Sequence, residues 1–365
     1  MKALYVLMAI GFLYGCTDDD GPEVSIPQVQ GDYFPPANTN EWESIPLSEL
    51  GWDEDKLLEL FDYLEQNNTR AFIVLKEGKI AIENYWGNTI TNTAAFDQNT
   101  IWYWASAGKT LTAALAGIAQ EEGFLNMNDK TSDHLGVGWT SLEQSKEELI
   151  TIFHQLTMTT GLDYNTNDLD CTLPACLNYK EDAGNQWYYH NAPYTLIQDV
   201  ISNATNQNYN TFTNQKLESK IGMSGEWISN GFNSTYWSTA RDMARFGLLI
   251  SRDGKWENNT VINDQNYLQQ MTSTSQDLNP SYGYLWWLNG KESIVFPGFP
   301  NAFNTALAPN APADLVAGMG KNGQFVEVIP SLDLVVIRMG EAPEDSLVPI
   351  QFHNEMWVKI NAVIN

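Results

Sequence analysis

Ser106 and Lys109 are the residues of this chain whose types and spacing offer chemistry most directly. They stand three apart at the head of an apolar run, Ile101–Gln120, IWYWASAGKTLTAALAGIAQ. Residues three apart on a helix share a face, so the hydroxyl and the amine can meet. A serine hydroxyl attacks a carbonyl only when something takes its proton. An amine held in an apolar, cation-repelling place can be neutral and do so. The positive end of a helix dipole disfavours the ammonium and favours a developing alkoxide. Gly108 occupies a position where helix propensity prefers Ala by about 1 kcal/mol, which implies a close neighbour. The Ser-x-x-Lys spacing alone also occurs in helices that do no chemistry. Gly108-Lys109-Thr110 resembles the end of a phosphate-binding loop, but that loop needs Gly where Tyr103 stands.

Two further stretches bear on the same chemistry. Gly184–Asn191 reads GNQWYYHN; a Tyr hydroxyl there becomes a proton shuttle if a nearby cation lowers its pKa, and Lys109 is the candidate cation. The alternative is that Tyr188 and Tyr189 are packing aromatics and His190 caps a helix. Asp314–Gly320 reads DLVAGMG. Glycines such as Gly318 at a strand end allow close backbone approach, so an N–H there can join the Ser106 N–H as an oxyanion hole, unless the stretch is simply a glycine-rich turn.

The elements that must position these residues follow from periodicity. Leu111, Ala114, Leu115 and Ile118 recur at helical spacing and start a helix near Lys109. Asp53–Gln66 reads as an amphipathic helix, and Ala71–Lys76 with Lys79–Trp86 as a hairpin turned at Glu77-Gly78. From about 126 to 270 the pattern is mostly helical, with helices predicted at Glu147–Leu156, Ala192–Asn203, Tyr209–Lys220, Thr239–Arg252 and Asp264–Met271. Strands follow at Tyr282–Leu288, Ala313–Ala317, Phe325–Ile329 and Leu334–Met339, then a helix at Pro349–Ile360. The order predicts an α+β fold: an antiparallel sheet built from both chain ends with flanking terminal helices, and a helical subdomain inserted between. The sheet part takes about 44–100 and 280–365, the helical part about 101–279.

The chain has 365 residues and a formal net charge of −26. No basic stripe exists to displace counterions, which argues against a nucleic-acid partner. Residues 1–15 form a short apolar leader with the layout of an export signal, too short to span a bilayer. Its end, Leu13-Tyr14-Gly15-Cys16, resembles a bacterial lipoprotein signal in which Cys16 is acylated; the alternative is an ordinary cleaved signal. The acidic Thr17–Asp20 stretch resembles the surface-export tags of some Gram-negative lipoproteins. These features predict an envelope lipoprotein, outer-membrane and surface-facing, attached through its N-terminal lipid alone. Residues 16–43, polar and Pro-containing, read as a tether. Cys171 and Cys176 then read as a local disulfide. No second Cys or His pair completes a metal site, His134, His154, His190 and His353 form no HExxH, and no cofactor is predicted.

Taken together, these segments resemble the serine β-lactamase-like hydrolases: penicillin-binding DD-peptidases, class C β-lactamases, their esterase relatives and the nylon-oligomer hydrolases. Ser106-Ala107-Gly108-Lys109 matches the Ser-x-x-Lys box, and Tyr189-His190-Asn191 the Tyr-x-Asn box. Ile150–Leu162 and Ser238–Gly247 resemble two further family segments. The resemblance runs from about Trp42 to the C-terminus. It implies Ser106 as nucleophile, Lys109 and Tyr189 sharing the base role, Asn191 orienting substrate and lysine, and the N–H of Met319, after Gly318, as the second oxyanion donor. The third family box, Lys or His then Thr or Ser then Gly, is missing from Val316-Ala317-Gly318. Lys321-Asn322-Gly323 matches it only superficially, nearer the next strand. That departure argues against a β-lactamase or D-Ala-D-Ala peptidase as the main activity and for cleavage of a small-molecule ester, amide or peptide-like substrate. A non-catalytic binding module on the same fold is the remaining alternative. Trp102, Trp104, Trp187 and Trp286 either line the cleft or fill the core.

Overall fold

The computed structural model describes residues 32–365, so the expected leader, Cys16 and the Thr17–Asp20 stretch lie outside the described residues. The strands are β1 (Thr69–Lys76), β2 (Lys79–Tyr85), β3 (Trp102–Tyr103), β4 (Gly225–Asn230), β5 (Asn233–Ser238), β6 (Lys255–Trp256), β7 (Asn259–Thr260), β8 (Trp287–Leu288), β9 (Val316–Gly320), β10 (Gln324–Ile329) and β11 (Leu334–Gly340). A six-stranded sheet runs β2-β1-β11-β10-β9-β8. Its ladders are antiparallel, with Ile73 opposite Ile337 and Val326 opposite Ile337 on the next strand. The sheet is thus built from both chain ends, as the order of periodic segments predicts.

Each face is covered by helices. On one face lies the Ala240–Ser251 helix. A Cβ on its Gly247 would come within 2.5 Å of Val335 Cγ1, so glycine is what lets this helix close onto the sheet. Its N-terminus is a capping box: Asp242 accepts from the Thr239 N–H at 2.9 Å and Thr239 Oγ1 from the Asp242 N–H at 3.2 Å, which explains the Ser-Thr-Ala-Arg-Asp run. The terminal helices Glu54–Gln66 and Ile350–Ile364 cover the other face. There Phe352 stacks on Phe325, and the buried Glu327 carboxylate pairs with His353 and accepts from Trp357 Nε1.

Four expectations need correction. The middle of the chain is not only helical: β3, β5 and β4 form a three-stranded sheet, its hairpin turned at Asn230–Asn233. The helix expected over Glu147–Leu156 is two, Gln144–Glu147 and Ile152–Leu156, because Thr151 adopts extended φ/ψ and caps the second with His154. Of the strand expected over Tyr282–Leu288, only Trp287–Leu288 joins the ladder; Leu285, at φ +60°, turns the chain before it. Residues 33–43 are docked rather than tethering. Arg245 donates to Pro36 O at 3.0 Å and Thr39 O at 2.9 Å, and Trp42 Nε1 to Gly78 O at 2.8 Å. No helix among the described residues is long and apolar enough to cross a membrane.

Candidate active site

The strand before Ser106 is anchored on the second sheet. Trp104 N–H donates to Tyr236 O and its indole N–H to Ser238 Oγ, both at 2.8 Å. Ala105 then takes φ +47°, a left-handed turn that a non-glycine residue holds only when its surroundings enforce it. A 3₁₀ turn, Ala105–Gly108, feeds the helix Lys109–Glu121, so Ser106 and Lys109 share a face as the spacing predicts. Lys109 Nζ lies 2.9 Å from Ser106 Oγ. Gly108 faces Trp227 and Tyr236 at 3.4–3.5 Å from where a Cβ would stand; the close neighbour exists, at ordinary contact distance.

Lys109 is 3% exposed. Its ammonium sits over the rings of Tyr194 at 4.2 Å and Tyr189 at 5.0 Å. Burial pushes its pKa down to about 7, against a smaller upward pull from Asp170. Aromatic faces offer a cation some attraction, but less than the water they replace.

Tyr189 borders the same cavity: burial raises its phenol well above the usual range, and the nearby Ser106 hydroxyl partly offsets this. Its ring is wedged in place, stacked on Trp287 at 5.8 Å and edge-on to Tyr282 at 6.3 Å. Tyr194, one helical turn into Asn191–Thr205, is pushed by burial up to about 12. Asn191 begins that helix and donates from Nδ2 to Asp170 at 2.8 Å. Its buried Oδ1 has no partner among the described residues. Asp170 also accepts from Asn233 Nδ2 of β5 at 2.7 Å, and it directly precedes Cys171, which is bonded to Cys176. The disulfide loop therefore carries a carboxylate to the cleft.

The glycines of β9 close the other side. A Cβ on Gly318 would meet Thr110 Cγ2 at 2.8 Å, and one on Gly320 would stand 3.0 Å from the Ser106 N. Only glycine permits that approach at both positions. Met319, between them, is buried. Ser106, Lys109, Asp170, Tyr189, Asn191 and Lys321 border one cavity of about 340 Å³. Lys321 borders the cleft from the turn after β9 rather than from a strand position. That turn is braced by Arg338, which donates to Asn322 O and Gly323 O, and by Asn322 Nδ2 on Tyr103 Oη at 2.7 Å. Trp102, Trp104, Trp187 and Trp286 are all core residues.

Sequence reasoning overlooked Asp170, Tyr194, Asn233 and Arg338. Asn230-Gly231 was a hairpin signal that would have placed Asn233 near a turn. Asp170 carries none, being one of several Asp and Asn residues in a loop.

The model of the family described as Beta-lactamase matches residues 61–344. The chain belongs to the β-lactamase family. Its fold recurs in a candidate 6-aminohexanoate-dimer hydrolase from Bacillus anthracis, at 16% identity and TM-score 0.68, covering 90% of this chain and 89% of that one. A candidate β-lactamase from Bacteroides dorei DSM 17855 superposes at 15% identity and TM-score 0.66, over 86% and 99% of the two chains. A penicillin-binding protein from Bacillus halodurans does so at 15% and 0.61, over 83% and 99%. No curated protein matches the chain in sequence. Membership of the β-lactamase family supports serine-hydrolase function in general and a small-molecule or peptide substrate; at these identities the superpositions establish the fold alone.

Proposed function

We propose that this protein is a serine hydrolase that cleaves an ester or amide through an acyl-Ser106 intermediate. The observation that carries the reading is the 2.9 Å approach of Lys109 Nζ to Ser106 Oγ, with the amine buried and its pKa brought down to about 7. Neutral Lys109 takes the hydroxyl proton as Oγ attacks the carbonyl carbon. The resulting oxyanion is held by the Ser106 N–H and an amide at the end of β9. Lys321 suits that second role better than the expected Met319. Its N is bonded to the carbonyl carbon of Gly320, the residue against the Ser106 N, and Lys321 borders the cavity. Alternate residues of a strand direct their amides to the same edge, so moving from 319 to 321 keeps the direction.

Collapse of the tetrahedral adduct breaks the bond to the leaving alcohol or amine. Tyr189, a phenol kept protonated by burial, relays the proton from Lys109 to it. Water then attacks the acyl-enzyme, giving up a proton by the same route in reverse and freeing the acid and Ser106. Asn191 and Asp170 bear on Lys109 and the substrate from the opposite wall.

Lys321, a cationic residue at the border of the cleft, favours a second reading, recognition of a carboxylate-bearing β-lactam or D-Ala-D-Ala peptide. The strand itself offers no hydroxyl between Val316 and Gly320. Nitrophenyl esters against a chromogenic cephalosporin separate the two. The proposal expects a higher kcat/KM on the ester, with ester turnover lost in Ser106→Ala; the reverse preference favours the second reading. Turnover by neither makes the protein a binding module. Attachment through lipidated Cys16 at the outer membrane completes the proposal, and loss of palmitate labelling in Cys16→Ala tests it.

A further inference from the structure

The loop that brings Asp170 to the cleft is anchored unevenly. It spans residues 163–178 and is closed at its base, where Leu162 bridges Tyr179 and the Asp163 N–H donates to Asn178 O at 2.8 Å. The far arm ends on a firm point. Leu177 is fully buried in the smaller core cluster, and its carbonyl accepts from the Ser141 N–H at 3.1 Å and the Ser141 hydroxyl at 3.0 Å. The near arm is held more lightly. Tyr164 stacks on Tyr188 at its start, but from Asn165 to Asp170 no side chain is buried. The Asp170 N–H is spent inside the loop, on Asp168 Oδ1 at 2.9 Å. Beyond the amides of Asn191 and Asn233, this arm meets the body of the protein where the Ala192 N–H donates to Leu169 O at 2.9 Å. What ties the light arm to the firm one is the Cys171–Cys176 bond, which joins the residue after Asp170 to the residue before Leu177.

Asp170 is the one carboxylate among the residues that border the cleft. Its side-chain partners among the described residues are neutral amides, so no ion pair cancels its charge. The other titratable groups that share the cleft with Lys109 are Tyr189 and Tyr194, both kept neutral by burial, and Lys321. Resting on the acyl-serine reading, we propose that the Cys171–Cys176 disulfide is a positioning latch for Asp170, so that the redox state of the pair sets the pH range in which Ser106 reacts. With the bond closed, the carboxylate faces Lys109 and favours its ammonium. With the bond open, the light arm relaxes and Lys109 gives up its proton at lower pH. Closing so short a ring constrains the unfolded chain only modestly, which leaves the placement of Asp170 as the larger consequence. Cys171 is buried, but Cys176 is half-buried beside the exposed Ala175, and it gives entry to a dithiol reductant. A thiolate of the reductant attacks Cys176 Sγ, and Cys171 Sγ leaves as a thiolate and takes a proton. The second thiol of the reductant then releases the Cys176 thiolate as it closes its own disulfide. The protein gains two thiols and the dithiol is oxidised.

The test is the rate of Ser106 modification by a fluorophosphonate against pH, in the full-length protein, oxidised and after reduction with dithiothreitol. Alkylation of Cys171 and Cys176, located by peptide mass, verifies the reduction. The expected result is a break that moves about half a pH unit lower on reduction, read as a rate about threefold faster at pH 6. The double variant Cys171→Ala/Cys176→Ala should show the same shift without reductant, and the reduced wild type carries the test if that variant does not fold. Asp170→Asn should show the lower break whether oxidised or reduced. Loss of stability alone would slow the reaction at every pH and leave the break in place. A break unmoved or raised by opening the bond, or one that reduction lowers equally in Asp170→Asn, overturns the proposal. An adduct on Ser106 with a Lys109-dependent break that ignores redox state overturns the latch alone. An adduct that persists in Ser106→Ala, or a rate independent of pH, removes the acyl-serine reading and the latch with it.

Discussion

Two buried cations face opposite fates in this molecule. Among the described residues, the Lys109 side chain has one hydrogen-bond partner, Ser106 Oγ, and otherwise meets aromatic faces. Arg338, fully buried on β11, donates to Thr69 Oγ1 and to the carbonyls of Asn67, Asn322, Gly323 and Glu341. Burial lowers both, Lys109 to about 7 and Arg338 to about 9. The first is poised to trade its proton; the second stays charged at neutral pH and spends its donors on backbone. On the proposed mechanism, the buried cation short of acceptors is the base, and the one ringed by carbonyls is a brace. The brace also serves the site, since it fixes the turn that carries Lys321.

Removing each cation should separate the roles. Lys109→Met is expected to cost 10³-fold or more in kcat/KM, at the order of magnitude for loss of a general base to a nucleophile, without lowering Tm at neutral pH. Folded Lys109 loses its proton near pH 7, unfolded lysine near ~10.4. The unfolded chain thus binds more protons between those values, and this residue makes wild-type stability rise with pH across that window. The variant should lose that contribution to the slope, as thermal melts at pH 7 and pH 9 would reveal. Arg338→Met should do the opposite: a loss of roughly 3 kcal/mol or more in urea unfolding, because its buried carbonyls lose their donors. Its rate defect should be smaller than that of Lys109→Met. Equal rate losses would erase the distinction. The smallest effect is expected from Asp170→Asn. Asp170 raises the Lys109 pKa, so the acid limb of kcat/KM should move to lower pH; movement to higher pH would contradict the electrostatic role.

Much of this was legible before any coordinates, for identifiable reasons. The Ser106–Lys109 pair was readable because helical geometry alone brings residues three apart together. The sheet strands were readable because β-branched runs such as Phe72–Leu75 and Val335–Ile337 bury both faces and are nearly continuous. The β4–β5 hairpin hid because its outward positions, Ser229, Asn230, Ser234 and Thr235, are polar and three of them border the cleft. Asp170 and Tyr194 were illegible for a different reason: their meaning lies in what they approach across the fold, and no local pattern encodes a contact between a disulfide loop and a helix 60 residues away. Strand register had the same difficulty. By pattern the close approach to Ser106 fell at Gly318 and Met319; it falls at Gly320 because the chain runs two residues further before turning.

The most direct measurement is the rate at which a fluorophosphonate acylates Ser106 as a function of pH, followed by intact mass. The account predicts a rate that rises about tenfold per pH unit up to a break near pH 7 and then levels, with no adduct in Ser106→Ala and no break in Lys109→Met. A rate independent of pH between 5 and 9, or an adduct that persists in Ser106→Ala, would contradict it.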